Sequence, residues 1–365
     1  MIHVLESAAT RENQIPQQHF LHWHPDPAAP AEVAETLLSY LGPRLKADRL
    51  HLAEQLLKFP DGWEADIYRF RLLGDSSLPK PFDSPLTLRV YGGSGAAARA
   101  RQEFKTMRRV RLLGYPVPRP LLVEEDSRLF GGPFLISEWV PGITLLDRLR
   151  QSHTRFLQVP TQLARMHVSL HALSVTGLSP QCGEFLDRHL DEMWAMIDDY
   201  ELDDLIVGMN WLEEQRPSKH NPPSILHLDF HPANLIVRDA GEIAVLDWSA
   251  ADIGDRHADV ATTLLLLGSA PVTLNTAWEQ LLSGPARWIL KHRYLRVYRR
   301  HYPLDRDLLR YYSAWAALYR LCMYRMWQRA SPLANGYKPS SLKYLTPAHL
   351  AALRCFFLRM AGVGV

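Results

Sequence analysis

The stretch ILHLDFHPANLIV, residues 225–237, decides how the rest of the chain is interpreted. Two apolar runs, typical of short buried strands, enclose a turn that carries several polar side chains. These side chains are His227, Asp229, His231 and Asn234. A second stretch, AVLDW at 244–248, places Asp247 directly after another apolar run. Because a strand holds the turn that follows it, we expect both stretches to present their polar side chains to one site.

The residues Asp229, Asn234 and Asp247 together predict phosphoryl transfer. A carboxylate on a turn can orient a hydroxyl group and accept its proton, which suits Asp229. Amide and carboxylate oxygens are ligands that Mg²⁺ accepts, with phosphates and water completing its shell, which suits Asn234 and Asp247. Asp and Asn are also common in turns, where they form local hydrogen bonds. Three such residues, each after an apolar run and in the order base, amide, acid, favour a kinase-like active site.

The composition is that of a globular protein. The chain has 365 residues, of which 47% are hydrophobic and 22% are charged, so we expect two domains or lobes. A net charge of +2 does not by itself indicate nucleic acid or a membrane surface as a partner. The cysteines Cys182, Cys322 and Cys355 are few and widely spaced, which favours a reducing, cytoplasmic location. The sequence predicts neither a secretory signal nor a transmembrane segment.

Periodicity divides the chain into a small lobe and a larger helical lobe. Residues 1–32, rich in Pro, Gln and His, are expected to form a loose arm. The N-lobe, 33–140, combines an antiparallel sheet with helices, and the C-lobe, 141–365, is mainly helical apart from the strands around the opening motif, which gives an α+β fold. The predicted N-lobe elements are helices at 33–46 and 96–114 and strands at 50–59, 66–74, 86–92, 119–126 and 132–140. A cleft between two lobes is a common position for a ligand.

The two motifs resemble those of the aminoglycoside phosphotransferase and choline kinase-like family, which is related to the protein kinases. HLDFHPANLIV is similar to the catalytic loop of the family, and VLDW is similar to its metal loop. The resemblance implies a protein kinase-like two-lobed fold, ATP and Mg²⁺ as cofactors, Asp229 as the catalytic base, and Asn234 and Asp247 as metal ligands. The segment GDRHADVA also resembles the family, where Asp259 would be a structural acid that supports the catalytic loop.

The resemblance extends over roughly residues 45–330 and implies roles in the N-lobe. LTLRVYG resembles the strand that contacts phosphates, with Arg89 as its cation. RARQEFKTM resembles the helix whose acid, Glu103, pairs with that cation. FLISEWVPG resembles the hinge, so the backbone from Glu138 to Val140 is expected to bind adenine. Arg89 departs from the Lys of protein kinases, but it still supplies a cation for phosphate.

The two histidines of the catalytic motif leave alternatives open. His227 either transfers a proton or, as we favour, holds the loop through hydrogen bonds from a buried position. His231 either contacts the substrate or is simply exposed.

Two charged regions also leave alternatives open. Residues 184–204 contain nine acids and one Arg, which suits either a solvated helix face or a pocket for a cationic acceptor. Trp194 and Trp211 are either core residues or an aromatic wall of that pocket. Residues 286–328 are basic and aromatic, and their helical spacing favours core packing with an arginine rim over a nucleic-acid or membrane surface. The same cations would also attract an acidic acceptor, such as a coenzyme A thioester.

We therefore expect an enzyme that transfers the γ-phosphoryl group of ATP to a hydroxyl of a small molecule. The expected partner is a small hydroxylated acceptor and not nucleic acid, and the sequence does not identify the acceptor. One alternative is a nucleotide-binding pseudoenzyme, against which the intact set of Asp229, Asn234 and Asp247 argues. The other is a kinase whose acceptor is a lipid-linked or acyl-thioester hydroxyl. A protein acceptor is disfavoured, because no long activation segment separates Asp247 from the next predicted helix.

Overall fold

The computed structural model describes most of the chain. The described residues are 30–47, 49–59, 65–74, 78–151, 157–176, 184–218, 221–269, 277–330 and 345–365. Residues 1–29 of the expected arm at 1–32 lie outside the described residues, and so does Cys182. The first helix begins at Pro30, ahead of its predicted start at 33, so residues 30–32 belong to this helix and not to an arm. Proline is well accommodated in a first helical turn, where its missing N–H has no intrahelical acceptor to lose.

The N-lobe is built around a five-stranded antiparallel sheet. Its strands in spatial order are β2 (Leu57–Phe59), β3 (Ala65–Phe70), β5 (Leu86–Tyr91), β7 (Phe134–Glu138) and β6 (Pro120–Glu124). Its two helices are α1 (Pro30–Leu45) and α2 (Ala96–Leu112). Side chains alternate between the faces of β5, so Leu86, Leu88 and Val90 are buried in the N-lobe core while Arg89 lies on the opposite face. That face is directed at the C-lobe, where Arg89 contacts Asp247.

Two predicted strands, 50–59 and 66–74, are each divided in the structure. The first gives β1 (His51–Leu52) and β2, and the second gives β3 and β4 (Leu72–Leu73). β1 pairs with β4 and β2 pairs with β3, but the register differs between the two ladders, so additional residues interrupt the first strand at 53–56. Apolar spacing alone does not reveal such an interruption, because a change of register between strands leaves the alternation within each of them intact.

The C-lobe is mainly helical. Its helices are α3 (Leu145–Gln151), α4 (Gln158–His171), α5 (Phe185–Tyr200), α6 (Ile206–Glu214), α7 (Arg256–Ser269), α8 (Ala277–Tyr298), α9 (Arg306–Arg329) and α10 (Pro347–Ala361). Its short strands are β8 (Ile143–Thr144), β9 (Ser224–Leu226), β10 (Leu235–Val237), β11 (Ile243–Val245) and β12 (Asp252–Gly254). β10 pairs with β8 and β11, and β9 pairs with β12, all antiparallel. Among the helices of the described residues, none is both long and apolar enough to cross a membrane.

Apolar contacts bring the two lobes together around the opening motif. One buried cluster contains Tyr91 and Ala100 from the N-lobe and Phe230 and Trp248 from the C-lobe. A second cluster lies in the N-lobe between α1 and the sheet, and a third lies among the C-lobe helices. The predicted α+β architecture, with an antiparallel sheet in the N-lobe and a mainly helical C-lobe, is thus confirmed.

The basic and aromatic C-terminal region packs largely as a core, which was the favoured interpretation. The buried aromatic residues of α8 and α9 are Tyr294, Tyr298, Tyr311, Tyr312, Trp315, Tyr324 and Trp327. Arg329 in α9 is exposed, as expected for an arginine rim. Arg320 does not belong to this rim, because it points inward to Asp229.

Candidate active site

The turn at residues 227–234, our candidate catalytic turn, contains a strained residue that a buried acid holds in place. Leu228 has φ +60°, a left-handed conformation that is costly for a residue with a Cβ. The carboxylate of Asp259, at the start of α7, accepts the N–H groups of His227 at 2.6 Å and of Leu228 at 2.8 Å. Asp259 is fully buried. This geometry agrees with the role of loop support that the resemblance implies for Asp259.

His227 connects the catalytic turn to the metal loop. Its ring is fully buried. Nε2 lies 2.9 Å from the carbonyl oxygen of Leu246, and Nδ1 accepts the N–H of Asp229 at 3.3 Å. One donor and one acceptor correspond to a neutral imidazole, and burial lowers the pKa of His227 accordingly. These contacts favour the structural role of His227 over proton transfer.

Asp229 and Asn234 are held together in the turn that precedes β10. The Nδ2 group of Asn234 donates to Asp229 Oδ2 at 2.9 Å and to the Asp229 carbonyl oxygen at 3.0 Å. Among the described residues, no donor contacts Asn234 Oδ1, so the amide oxygen remains available to a metal ion. The sequence is compatible with His231 as either a substrate contact or an exposed residue. Its Nε2 lies 3.3 Å from Asp229 Oδ2.

Asp247, near the end of the second motif, has a left-handed conformation, with φ +63°. The N–H of the preceding residue, Leu246, donates to the Asn234 carbonyl oxygen at 2.8 Å, which places the two metal-binding candidates on neighbouring backbone segments. Asp247 Oδ1 lies 3.2 Å from Arg89 Nη2 and accepts the Ser249 hydroxyl at 3.2 Å. The side chain of Asp247 is 37% exposed, so it also faces open space.

Arg89 and Glu103 form the ion pair that the resemblance implies. Arg89 Nη1 lies 2.9 Å from Glu103 Oε1, and the Glu103 side chain is 1% exposed. Glu103 also accepts hydrogen bonds from the Tyr91 hydroxyl and, at 3.4 Å, from the Trp248 N–H. Burial raises the pKa of Glu103, although Arg89 acts in the opposite direction. Since Arg89 bridges Glu103 and Asp247, this pair joins the N-lobe sheet and helix to the metal loop.

The hinge segment offers a backbone donor of the kind that adenine needs. The N–H of Glu138 donates to the Arg119 carbonyl oxygen at 2.9 Å, and that of Trp139 donates to the Pro85 carbonyl oxygen at 2.9 Å. The N–H of Val140 has no hydrogen-bond partner within the described part of the chain. Of the predicted adenine-contacting positions, Val140 can therefore supply a donor, whereas the N–H of Glu138 is already in use.

Four aromatic side chains support the site through Asp259. Sequence reasoning missed them. His167 and His171 of α4 place Nε2 at 2.9 Å and 3.2 Å from Asp259 Oδ2. Their Nδ1 atoms lie 2.6 Å from the hydroxyls of Tyr294 and Tyr298 in α8. The two histidines and Asp259 are close enough to suit a metal ion, but the hydrogen bond between His171 and Asp259 and the contacts of both rings with tyrosine hydroxyls fit support of the catalytic turn. A spacing of four residues in both pairs was the available signal, and it indicates only a shared helix face.

Arg320 was also missed. Its Nη2 lies 3.0 Å from Asp229 Oδ1, and its side chain is 18% exposed. Burial alone would raise the pKa of Asp229, but His231 and Arg320 outweigh this effect and hold that pKa well below its usual range. Asp229 is therefore ionised and weakly basic, which suits the orientation of a hydroxyl more than early removal of its proton.

The acidic segment 184–204 is partly neutralised by arginines. Asp187 lies 2.5 Å from Arg216, and Asp204 contacts Arg325 and Arg354. Its Trp194 and the later Trp211 are partly buried and pack against the helical core of the C-lobe. These contacts favour the core interpretation of both tryptophans.

Comparisons with known proteins agree with this geometry. The sequence profile described as the phosphotransferase enzyme family, APH, matches residues 55–304. "Acyl-CoA dehydrogenase family member 10" of Mus musculus is 29% identical over 229 residues, which are 58% of this chain and 20% of that protein. The chain thus spans about a fifth of the length of this curated relative.

Solved structures share the fold. A thermostable mutant of aminoglycoside phosphotransferase APH(4)-Ia, in ternary complex with AMP-PNP and hygromycin B, has a TM-score of 0.58 at 18% identity, with 91% of this chain and 98% of that chain covered. Amicoumacin kinase hAmiN, in complex with AMP-PNP, Ca²⁺ and Ami, has a TM-score of 0.56 at 16% identity, with 91% and 94% covered. The resemblance to aminoglycoside phosphotransferases and the protein kinase-like fold are confirmed. Since the family profile covers more than half of its sequence, the chain belongs to the phosphotransferase enzyme family.

Proposed function

We propose that this protein transfers the γ-phosphoryl group of MgATP to a hydroxyl group of a small molecule. The observation that carries the proposal is the convergence of Asp229, Asn234 and Asp247 with the Arg89–Glu103 pair where the two lobes meet. Membership of the family and the AMP-PNP complexes of two proteins with the same fold support a nucleotide as phosphoryl donor.

The available oxygens fit a magnesium ion. The amide nitrogen of Asn234 faces Asp229, so Oδ1 is the atom that Asn234 would offer to the metal, and Asp247 would offer a carboxylate. Mg²⁺ would neutralise charge on the β- and γ-phosphates. Phosphates and water would supply its other ligands, so two protein ligands would be sufficient.

Each residue of the site has its own role in the transfer. Asp229 orients the acceptor hydroxyl, whose oxygen forms a bond to the γ-phosphorus. The bond from that phosphorus to the β–γ bridging oxygen breaks, and ADP leaves with the electron pair. The hydroxyl proton passes to Asp229 and then to water. Arg89, steadied by Glu103, holds the α- and β-phosphates, and Val140 binds adenine through its N–H, so catalysis rests on positioning and charge neutralisation.

A hydroxyl on an acyl thioester is the second candidate acceptor. The specific observation is the name of the curated relative, which refers to acyl-CoA, although the matched segment is only 20% of that protein. A protein acceptor fits less well, because only residues 248–255 separate Asp247 from α7. We place the protein in the cytoplasm, a proposal supported by the free thiols of Cys322 and Cys355.

The direct test is to incubate the protein with MgATP and a panel of hydroxylated metabolites, acyl thioesters and antibiotics. ADP release and the mass of each acceptor are then measured. The proposal predicts stoichiometric ADP and a phosphorylated acceptor. If nucleotide binds but neither ADP nor a phosphorylated compound forms with any member of a broad panel, the pseudoenzyme becomes the better account.

A further inference from the structure

Arg320 contacts the proposed base although it belongs to neither sequence motif. It comes from α9, and its Nη2 lies 3.0 Å from Asp229 Oδ1. The other carboxylate oxygen, Oδ2, already accepts the Asn234 amide at 2.9 Å. With 18% of its side chain exposed, Arg320 presents a small face to the space beside Asp229. An acceptor hydroxyl that binds Asp229 must therefore approach next to a guanidinium group.

The guanidinium competes with the acceptor for the base. A hydrogen bond between an arginine and a carboxylate is charge-assisted and stronger than one from a neutral hydroxyl. An anionic group on the acceptor removes this competition, because a guanidinium has five N–H donors in a fork that fits a carboxylate or a phosphate. A cationic acceptor offers no such replacement and is repelled by Arg320.

Further positively charged side chains lie on the neighbouring helices α8 and α10. Tyr324 lies one turn along α9 from Arg320, and its ring centroid lies 5.6 Å from that of His349 in α10. Burial lowers the pKa of His349, and the positive charges of Arg320 and Arg287 lower it further. Arg287 belongs to α8, so arginines of two helices, α8 and α9, act on His349.

Lys291 extends the same group of cations. Burial lowers the pKa of Lys291, and Arg359 and Arg287 add to the effect. Its ammonium lies against Gly268 of α7, where a Cβ would be only 3.2 Å from Nζ. Arg287, Lys291, Arg320 and Arg359 thus add positive charge on α8, α9 and α10. The positive charges of these side chains favour an anion over a cation nearby.

We propose that Arg320 forms an anion-binding subsite for the acceptor beside Asp229, and that the acceptor is an anion with a carboxylate or phosphate close to its reacting hydroxyl. The anionic group binds Arg320 and releases Asp229 Oδ1 to the hydroxyl. Arg320 is thus a specificity-determining residue, and hydroxy acids and phosphorylated alcohols are preferred to polycationic alcohols. This inference rests on the proposed phosphoryl transfer.

A binding experiment tests the subsite without knowledge of the natural acceptor. Thermal unfolding is followed with saturating AMP-PNP and Mg²⁺, which fill the nucleotide site, while inorganic phosphate or acetate is added. Both wild type and Arg329→Gln, the exposed control on the same helix, should be stabilised by one or both anions. For Arg320→Gln the half-maximal anion concentration should rise about tenfold or more, which is ~1.4 kcal/mol of binding free energy. Equal responses of Arg320→Gln and Arg329→Gln would overturn the inference.

An activity experiment compares acceptors that differ in charge. ADP release is measured with glycerate, glycerol 3-phosphate and glycerol, with 3-hydroxybutyrate and its amide, and with kanamycin. Anionic members should stimulate release, and Arg320→Gln should raise their KM at least about tenfold while the KM for ATP stays unchanged. Glycerate and glycerol 3-phosphate distinguish a carboxylate from a phosphate. A preference for glycerol, the amide or kanamycin would overturn the inference.

The results distinguish failure of the proposed phosphoryl transfer from failure of the anion-binding subsite alone. If MgAMP-PNP does not change the unfolding temperature, nucleotide binding is absent and the proposed function itself fails. If MgAMP-PNP binds but neither anion acts through Arg320, only the anionic subsite fails. If no acceptor of the panel is phosphorylated, the binding experiment alone decides on the subsite.

Discussion

Leu228 and Asp247, on either side of the reacting centre, both have left-handed backbones, with φ +60° and +63°. Each such residue costs about 1–3 kcal/mol and persists only where its surroundings hold it. Asp259 holds Leu228 by accepting its N–H at 2.8 Å, and Arg89 and Ser249 hold the side chain of Asp247. Strained backbone thus lies directly before Asp229 and at Asp247 itself.

Asp247→Asn tests the metal role of this residue with little effect on the backbone, because Asn tolerates a left-handed conformation. We expect Mg²⁺-dependent binding of AMP-PNP to weaken at least about tenfold, since an anionic ligand becomes neutral. Calorimetry with and without Mg²⁺ measures the difference. Asp229→Asn is the matched control and should bind MgAMP-PNP as wild type does. Unchanged binding in Asp247→Asn would remove Asp247 from the metal site.

At the residue scale, the sequence predicts site residues whose partners are close to them along the chain. Asp229 and Asn234 lie on one turn, and a short strand precedes each motif, so spacing was enough to select them. Arg320 could not be selected, because α9 contains several arginines and only its packing decides which of them faces Asp229. His167 and His171 were missed for the same reason, since their partner Asp259 lies on another helix.

The connection between the lobes depends on a close approach of two strands. Gly142 has φ +140°, and a Cβ there would lie 2.3 Å from the Val237 carbonyl oxygen. The next residue, Ile143, begins β8, which pairs with β10 directly after the catalytic turn. The segment that leaves the hinge is therefore attached to the strand that follows Asn234.

Gly142→Ala should disturb this pairing more than a change at a comparable glycine. Gly241 also has a positive φ, +87°, but an added Cβ would meet nothing within 4 Å. We expect Gly142→Ala to lower the free energy of unfolding by roughly 2–4 kcal/mol, and Gly241→Ala by only ~1 kcal/mol, because the second suffers backbone strain without a clash. Urea denaturation of both variants measures the two values. Similar values would show that the approach at Gly142 is not tight.

Elements were predicted where one periodicity runs uninterrupted. The helix predicted at 96–114 corresponds to α2, and the strand predicted at 86–92 corresponds to β5. The strands predicted at 50–59 and 66–74 were too long, because a change of register between paired strands has no signature within either strand.

The whole molecule supports its catalytic turn through layers of buried polar groups. Tyr298 in α8 contacts His171 in α4, which contacts Asp259 in α7, which in turn binds the backbone of His227 and Leu228. Burial lowers the pKa of His171 to about 4, and the neighbouring His167 adds to the effect. His171 is neutral in the folded protein above about pH 4, so unfolding in mild acid is accompanied by uptake of a proton at this residue.

Stability should therefore decrease as the pH falls from about 6.5 to about 4. An unfolded histidine takes up a proton near pH 6.5, whereas His171 in the folded protein does so only at about 4. Between these values the unfolded state binds more protons, so protonation favours unfolding by up to about 3 kcal/mol. Urea denaturation at several pH values measures how the free energy of unfolding changes with pH. The slope of this free energy against pH should be shallower for His171→Gln than for wild type, and unchanged for the exposed His292→Gln. Equal slopes in all three proteins would contradict this assignment.

The central claim is that Asp229 serves a phosphoryl transfer from MgATP, and one comparison tests it most directly. ADP release from MgATP is measured with the acceptor panel in wild type and in Asp229→Asn, together with the affinity of both proteins for AMP-PNP. We predict that an acceptor stimulates ADP release in wild type, that Asp229→Asn loses this stimulation by roughly 10²–10⁴-fold, and that both proteins bind AMP-PNP alike. Stimulated ADP release that survives in Asp229→Asn would contradict the account.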